Sequence, residues 1–228
     1  MEIGGLQKLT LLDYPGHLAC IVFTAGCNLR CPFCHNAGLL TARGEPPDAL
    51  FAFLDQRRKM LEGVVITGGE PLLQPDLPQF LQTLREKYAL KIKLDTNASK
   101  PQALRELLER KLLDYVAMDV KNSREKYAQT AGVPIDLNAV DESIDLLLHG
   151  AIPYEFRTTI VHELHEPEDV AAIAKRLAGA KRYFLQRFRS GGDLLTAGLH
   201  PPSNEKLNAC LRAARQFLPI TQLRGEEI

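Results

Sequence analysis

The feature that most constrains the fold is a regular alternation of apolar, β-rich runs with helical patterns. The β-rich runs lie at residues 18–24, 63–67, 91–95, 115–120, 154–161 and 181–186. The helical patterns lie near residues 48–60, 76–87, 101–112, 137–149, 167–178 and 204–216. Strands that alternate with helices pair in parallel through right-handed crossovers. The pattern therefore predicts an α/β protein with a parallel sheet.

The number of strand–helix units predicts an open arrangement of that sheet. Six units are fewer than the eight of a closed TIM barrel, which typically needs about 250 residues. A partial barrel or a doubly wound sheet remains. Because no linker or internal repeat divides the pattern, residues 1–228 are predicted to form a single domain. Residues 1–17 would be an N-terminal extension, and residues 187–228 a C-terminal helix and a tail that adds a short edge strand.

Charge and cysteine usage exclude several classes of protein. Lys+Arg and Asp+Glu number 28 each, so the chain lacks the basic surplus of a general nucleic-acid binder. No apolar run approaches the roughly 18 residues that span a bilayer, and the N-terminus lacks the apolar core of a signal peptide. Five cysteines, an odd number, fit a reducing compartment better than a disulfide framework. We expect a cytoplasmic protein without nucleic-acid or membrane partners.

Unusual polar residues follow the predicted strands, at the carboxyl ends where parallel α/β folds collect their chemistry. Cys27, Cys31 and Cys34 follow the first strand, and Gly68, Gly69 and Glu70 follow the second. The third strand ends with Asp95, Thr96 and Asn97, the fourth with Asp119 and Lys121, and the sixth with Gln186. Arg157 falls inside the fifth strand and has to point into the interior if it takes part. We therefore predict a single functional site along this edge.

Three cysteines within eight positions form the sharpest motif, Cys-x3-Cys-x2-Cys. A loop this tight can wrap a compact metal centre, because thiolates are strong ligands and little chain entropy is lost on closure. The spacing alone leaves open an iron–sulfur cluster, a zinc site completed by His35 or a distant ligand, and unrelated thiols. Zinc sites usually pair two such knuckles, and the sequence has one. In a four-iron cluster, three cysteines leave one iron open for a substrate or cofactor.

The spacing of Cys27, Cys31, Phe33 and Cys34 resembles the signature of the radical S-adenosylmethionine (SAM) superfamily. The stretch "GGLQKLTLLDYPGHLACIVFTAGCNLRCPFCHN" is similar to the N-terminus of anaerobic ribonucleoside-triphosphate reductase activating proteins of the longer type. These proteins are relatives of the pyruvate formate-lyase activating enzymes. The segments "TGGEPLLQ", "KLDTNAS", "VAMDVKN" and "FRTTIV" extend the match over most of the chain.

The resemblance implies a partial (β/α)6 TIM-like barrel of the radical SAM type with one [4Fe-4S] cluster and SAM. Cys27, Cys31 and Cys34 would hold three irons, and SAM would chelate the fourth. Reductive cleavage of SAM would give a 5′-deoxyadenosyl radical that removes hydrogen from a glycine of a glycyl-radical enzyme. The expected partner is anaerobic ribonucleoside-triphosphate reductase, and the expected electron donor is a flavodoxin- or ferredoxin-like protein.

The resemblance also implies roles for residues beyond the cysteines. Gly68 and Gly69 would let the backbone approach a ligand closely, and Glu70 would accept from the ammonium group of SAM. A plain strand-to-helix turn is the alternative for these three. Asp95, Thr96 and Asp119 match positions that hold a monovalent cation beside the SAM carboxylate, together with the carbonyl of Ala117. Capping of strand ends or neighbouring helices is the alternative for the two aspartates.

Four further residues have implied roles toward SAM or the cluster. Lys121 and Arg157 would bind the SAM carboxylate, with a structural ion pair across neighbouring strands as the alternative. Gln186 would contact the adenosyl part, although the family often shows two glutamines where this chain has Gln186–Arg187. Phe33 would shield the cluster or pack on adenine, with core packing as the alternative.

The surroundings of the site lead to a prediction about partner access. His35 would hydrogen-bond near the cluster, face the partner, or lie in an exposed loop. Residues 122–136 and 187–203 lack strong periodicity, and loops of that length are often functional. We expect them to frame the opening for the partner's glycyl loop, so that deleting either segment spares SAM binding but impairs activation.

Two other functions remain open from the sequence. One is a radical SAM enzyme that acts on a small molecule or another peptide, which would share the same cysteines and SAM site. The other is a zinc-stabilised binding module without catalysis. The short chain, which shows no second cluster motif, favours the activating enzyme.

Overall fold

A computed structural model describes residues 1–57, 59–191 and 194–225. All six predicted strands are present: β2 Ala19–Thr24, β3 Gly63–Gly68, β4 Lys91–Thr96, β5 Tyr115–Asp119, β6 Tyr154–Ile160 and β7 Tyr183–Arg187. Two more strands flank them, β1 Ile3–Thr10 and β8 Gln222–Arg224. Strands β2 and β3, β3 and β4, β6 and β7, and β7 and β8 pair in parallel, whereas β1 pairs antiparallel with β2. The prediction of an α/β fold with a mostly parallel sheet is confirmed.

The predicted helices are also present, with ends that differ by a few residues. The helices are α1 Asp48–Gln56, α2 Leu77–Tyr88, α3 Pro101–Glu109, α4 Tyr127–Ala131, α5 Leu137–Leu148, α6 Pro167–Arg176 and α7 Asn204–Arg215. In α3, Pro101 occupies the first turn, where its missing N–H costs nothing, and Leu104 and Leu107 form the buried stripe. In the part of the chain that the structure describes, no helix combines the length and apolarity needed to cross a bilayer.

The chain divides into two compact units. The first comprises Met1–Asn28, Gly38–Ala117 and Ala151–Pro153; the second comprises Leu29–Ala37, Met118–Gly150 and the residues from Tyr154 onward. The boundary falls inside β5 and inside the cysteine loop, so Cys27 belongs to the first unit and Cys31 and Cys34 to the second. The single domain expected for residues 1–228 stays a prediction.

The first unit is built on β1 to β4. Strand β2 pairs in parallel with β3, and β3 with β4, whereas β1 runs antiparallel to β2. Tyr14, Ala19, Ile21, Val65 and Tyr115 form one buried cluster of its core. Strand β1 lies within residues 1–17, which were predicted only as an N-terminal extension, and it was not predicted. That strand contains two glycines, and its buried and exposed residues do not alternate, so it lacks the pattern that marks a half-buried strand.

The second unit contains β6, β7 and β8, which pair in parallel. Arg224 of β8 donates to both carboxylate oxygens of the buried Glu155, over 2.6 and 2.7 Å, and its guanidinium stacks on Phe184. This bidentate pair anchors the edge strand that the tail was predicted to add. The last three residues of that tail, 226–228, lie outside the described residues.

One predicted loop contains a helix. Helix α4 lies inside residues 122–136, which the sequence analysis described as lacking strong periodicity. Five residues make too few turns to produce a periodic pattern, which is why the sequence did not reveal this helix. Gly132 ends it in the left-handed conformation, at φ 72°. The other predicted loop, residues 187–203, includes residues 192 and 193, which lie outside the described residues.

Candidate active site

The Gly68–Gly69 pair is required by a close approach of the chain to itself. Gly68 has φ 113°, and a Cβ atom on it would lie 2.3 Å from the backbone nitrogen of Thr24. A Cβ atom on Gly69 would lie 1.8 Å from the carbonyl oxygen of Gly26. The turn is held there by hydrogen bonds from Gly69 N to Thr24 O and from Glu70 N to Gly26 O, each 2.9 Å. The glycines therefore seat this turn directly against the residues that lead into Cys27.

Glu70 joins that turn to the end of β4. Its side chain is buried and accepts hydrogen bonds from Thr96 Oγ1 at 2.7 Å, Asn97 N at 2.7 Å and Leu72 N at 3.0 Å. A carboxylate offers about four acceptor positions, so these donors take up most of its capacity. The structure thus assigns Glu70 a positioning role that the sequence did not reveal. Its contact with the ammonium group of SAM stays a prediction.

Asn97, predicted to lie at the functional edge but without a specific role, reaches Cys27. Its Nδ2 lies 3.9 Å from Cys27 Sγ, within hydrogen-bonding reach of sulfur, and donates to Asn28 Oδ1 at 3.0 Å. Its Oδ1 accepts from Ser99 N at 3.0 Å. Its place directly after Asp95 and Thr96 put Asn97 at the predicted functional edge, but nothing in the sequence indicated its contact with Cys27.

Asp95 lies beside a buried lysine. Lys93 Nζ is 2.5 Å from Asp95 Oδ1, and the lysine side chain is only 2% exposed, against 14% for the aspartate. Residues two apart on a strand point to the same face, so both side chains project from one side of β4. Lys93 was not among the predicted site residues.

The end of β5 carries a three-residue charged group in the second unit. Arg157 Nε donates to Asp119 Oδ1 at 2.8 Å, and Lys121 Nζ donates to Asp119 Oδ2 at 3.1 Å. Burial alone would raise the pKa of Asp119, but the charges of Arg157 and Lys121 outweigh it and hold that pKa well below its usual range. Arg157 thus points from inside β6 toward the end of β5. The ion pair weighed as the alternative is present.

The neighbourhood of Lys121 includes a cysteine of the loop. Burial acts to lower the pKa of Lys121, but Asp119 and Cys31 raise it above its usual value. For the Cys31 thiol, burial raises the pKa, and the Lys121 ammonium offsets part of that rise. Lys121 therefore stays charged at neutral pH, while burial keeps the pKa of Cys31 above its usual value despite that charge.

His165 holds the backbone of Lys121 in place. The imidazole is fully buried; Nδ1 accepts from Val161 N at 3.2 Å, and Nε2 lies 2.8 Å from Lys121 O. Since Nδ1 accepts a hydrogen bond, Nε2 carries the proton that it donates to Lys121 O. Burial lowers the pKa of His165, so the ring is neutral near pH 7. No motif in the sequence pointed to this histidine.

Residues from both predicted access segments contact the cysteine loop. Arg30 N donates to Ala131 O at 2.9 Å, at the end of α4, and Thr196 N donates to Pro32 O at 3.1 Å. Gly132 is needed beside the first contact, because a Cβ atom there would lie 1.9 Å from Arg30 O. The loop that carries Cys31 and Cys34 is therefore supported by residues of segments 122–136 and 187–203.

Phe33 and His35 both pack on Phe188. The rings of Phe33 and Phe188 meet edge to face with centroids 6.4 Å apart, and His35 stacks on Phe188 at 5.4 Å. His35 Nε2 also lies 2.8 Å from Arg189 O. These contacts match the core-packing alternative for Phe33, and its contact with the cluster or adenine stays a prediction.

Gln186 and Arg187 point to opposite faces of β7. Gln186 pairs in register with Thr159 of β6 and Arg224 of β8 and is half-buried. Arg187 donates to Asn204 Oδ1 at 2.6 Å and to Pro202 O, so its side chain supports the start of α7. Arg187, which stands where the family often has a second glutamine, therefore has a structural role. The contact of Gln186 with the adenosyl group stays a prediction.

The sulfur donors fit an iron–sulfur cluster. All five cysteines lie among the described residues, and none of them forms a disulfide. Cys27, Cys31 and Cys34 fall within eight positions of the chain, and each can supply a thiolate, the ligand type that an iron–sulfur cluster takes. Within the described ranges, no three side chains of His, Cys, Asp or Glu stand close enough together to hold a single metal ion.

Comparison with known proteins identifies related sequences. The Radical SAM superfamily matches residues 21–177. A Methanocaldococcus jannaschii protein named "Putative glycyl-radical enzyme activating enzyme MJ1227" is 30% identical over 230 residues, covering 97% of this chain and 95% of that protein. The pyruvate formate-lyase-activating enzyme of Clostridium pasteurianum is 30% identical over 128 residues, covering 53% of this chain and 52% of that enzyme.

Solved structures share the fold. A radical SAM methyltransferase from Sphaerobacter thermophilus superposes with a TM-score of 0.75 at 15% sequence identity, covering 92% of this chain and 67% of that one. At this identity the similarity concerns the fold and not the reaction. It agrees with the fold class predicted from the alternation of strands and helices.

Proposed function

The chain belongs to the radical SAM superfamily, and we propose that it activates a glycyl-radical enzyme by removing a hydrogen atom from a glycine Cα of that partner. The observation that supports this proposal most is the similarity, over 97% of the chain, to a protein named for glycyl-radical enzyme activation. A relationship that continues beyond the cysteine loop favours a common reaction over a common cofactor alone.

The superfamily uses a [4Fe-4S] cluster and SAM, and each unit offers residues to hold them. Cys27, Cys31 and Cys34 would each ligate one iron, which leaves one iron of the cluster for SAM. When bound, the two groups supply the one-electron chemistry that generates a hydrogen-abstracting radical. The protein itself would bind and orient the cluster and SAM and exclude water from them.

The charged group at the end of β5 would bind and orient the carboxylate of SAM. Lys121 and Arg157 carry two positive charges and Asp119 carries one negative charge, so the ionised group has a net charge of +1. A guanidinium offers planar, forked donors and an ammonium offers three rotatable ones. Asp119 keeps both cations in place, and its low pKa keeps it ionised at neutral pH.

The first unit would hold the other side chains of the site. Glu70 fixes the end of β4 through Thr96 and Asn97, and Asn97 in turn directs its amide at Cys27. A hydrogen bond to a ligating sulfur is one of the means by which proteins set the potential of a cluster. In the second unit, Gln186 and Phe33 are proposed to contact the adenosyl part of SAM.

The finer proposal concerns the partner proteins. The similarity of the N-terminal third to activating proteins of anaerobic ribonucleoside-triphosphate reductase supports that reductase as the partner. A flavodoxin- or ferredoxin-like protein would supply the electron. The segments 122–136 and 187–203 are proposed to frame the opening for the partner's glycyl loop.

Contacts of those segments with the cysteine loop change how their role has to be tested. A deletion would remove Ala131 or Thr196 and with it the support of Arg30 or Pro32. Substitutions of exposed residues are therefore the sharper test, for example Glu125→Ala or Ser190→Ala. These variants are expected to retain cluster and SAM cleavage and to activate the partner more slowly.

The proposed function is tested by anaerobic reconstitution with iron, sulfide, SAM, a reductant and the candidate reductase. The expected result is about four iron and four sulfide per chain, SAM cleavage, and a glycyl radical in the reductase by EPR. Cys31→Ala should lose cluster and radical. Cys210→Ala, which removes a buried thiol in α7, should keep both.

Other outcomes would indicate other functions. SAM cleavage without a glycyl radical in any candidate partner would favour a small-molecule or peptide substrate. Stoichiometric zinc without sulfide, with no SAM cleavage, would remove the radical mechanism and favour a zinc-stabilised binding module.

A further inference from the structure

Lys93 is a charged residue in the interior of β4. Lys91, two positions earlier, is exposed, whereas the side chain of Lys93 is only 2% exposed and contacts Asp95 at 2.5 Å. An ammonium group without a counter-charge is costly to bury, so a buried lysine is retained only with a partner. Asp95 is therefore already neutralised by a cation that belongs to the same strand.

The second aspartate of the expected cation site is also neutralised by the chain. Arg157 and Lys121 contact the two carboxylate oxygens of Asp119 at 2.8 and 3.1 Å. In that group the positive charges outnumber the negative one. A monovalent cation is useful beside carboxylates because it removes their mutual repulsion in a dry site. Within its own unit, each of the two aspartates, Asp95 and Asp119, already has a positively charged partner that compensates its charge.

We infer that the ammonium of Lys93 takes the place of a monovalent cation at Asp95, so that SAM binding and cleavage by this protein do not require added K⁺ or Na⁺. The residues thus do not fit the cation that the family resemblance implies. A metal ion on the carboxylate of Asp95 would share it with the ammonium that contacts Oδ1, and like charges repel strongly where water is excluded. Lys93 acts as a positioning residue for Asp95, and the inference rests on the proposed function.

The first test uses the reconstituted wild-type protein in equal concentrations of potassium, sodium or choline chloride. The reductant is a photoreduced flavin in a buffer without alkali cations. The affinity for SAM and the rate of SAM cleavage are expected to agree within about twofold across the three salts, because a resident charge does not depend on the medium. A saturable gain of about tenfold or more on adding K⁺ would overturn the inference.

The second test removes the charge and measures stability in place of activity. Lys93→Met removes the ammonium beside Asp95, so the variant should melt at a lower temperature than the wild type. The melting temperature of the variant should then be higher in potassium chloride than in choline chloride of equal ionic strength. Lys91→Met, the same change at an exposed position of the same strand, should show no such preference. A folded Lys93→Met variant without a preference for K⁺ would contradict the inference that the Lys93 ammonium takes the place of a bound monovalent cation.

Wild-type melting keeps the inference testable if Lys93→Met does not fold. The wild-type melting temperature is expected to be the same in potassium and choline chloride. A rise specific to K⁺ that Asp95→Asn abolishes would show a bound cation and refute the inference. Absence of SAM cleavage in every salt would instead count against the proposed function, and the melting data would still decide the role of Lys93.

Discussion

The side-chain amide of Asn97 lies 3.9 Å from Sγ of Cys27, although 70 positions separate the two residues in the chain. The contact exists because Glu70 accepts from Asn97 N at 2.7 Å and so fixes the end of β4. Hydrogen bonds to a ligating sulfur stabilise the reduced state of a cluster, which carries more negative charge, and so raise its reduction potential.

Asn97→Ala is therefore expected to shift the reduction potential of the reconstituted cluster to a more negative value. The measurement is an anaerobic redox titration followed by EPR. Asn28→Ala is the matched control, because it removes the neighbour at 3.0 Å but keeps the amide that faces the sulfur. Equal potentials in the two variants would mean that the amide does not influence the cluster.

Replacement of Glu70 tests its positioning role. Glu70→Ala leaves the buried donors of Thr96, Asn97 and Leu72 without their acceptor. We expect the free energy of unfolding to fall by about 3 kcal/mol or more, since each unsatisfied buried donor costs about 1–3 kcal/mol. Urea unfolding of the cluster-free protein measures the change. The exposed Glu109 in α3 provides the control, and a loss no larger than that of Glu109→Ala would refute the role.

Gly69→Ala tests the close approach of the turn to the chain before Cys27. The new Cβ atom would lie 1.8 Å from Gly26 O, and a backbone atom cannot move aside as a flexible side chain can. We expect a loss of about 3 kcal/mol or more in stability and a lower iron content after reconstitution. Gly38→Ala meets no atom within 4 Å and should behave as wild type. Similar iron content in both variants would contradict the prediction.

His165 should make stability depend on pH. Burial holds its pKa below the usual value of 6.5, so the unfolded chain takes up a proton at higher pH than the folded one. The stabilisation is complete above the unfolded pKa and is lost as the pH falls from there toward the folded pKa. The slope should approach about 1.4 kcal/mol per pH unit at most.

Urea unfolding between about pH 7.5 and 5.5 measures this slope. His165→Gln removes the titrating ring and should flatten the dependence, whereas His149→Gln, at an exposed position in the second unit, should leave it unchanged. An unaltered slope in His165→Gln would show that other groups control stability in this range.

Local spacing was enough to predict most of the secondary structure. The apolar runs found β2 to β7, and the helical stripe of Leu104 and Leu107 found α3, because both periodicities are properties of short segments. Strand β1 and helix α4 were missed for the same reason. The strand has no alternating pattern, and the helix is too short to show a period.

The candidate site was predicted in its residue types but not in its contacts. Cys31, Asp119 and Lys121 were assigned to one site from their positions after strands, and Arg157 from the family resemblance. The second unit does bring the three charged residues together. Lys93 was overlooked because a lysine in a strand reads as solvent-facing until its burial is known. His165 was overlooked because its partner, Lys121 O, is a backbone atom that leaves no mark in the sequence.

By itself, the sequence determined the class of fold, the cysteine loop and the superfamily, since each of these depends on the order and spacing of residues along the chain. Only the tertiary structure decided that Glu70 serves Thr96 and Asn97 and that Lys93 neutralises Asp95. The physical reason is that the cost of burying a polar or charged group depends on the groups around it, and folding alone sets which groups those are.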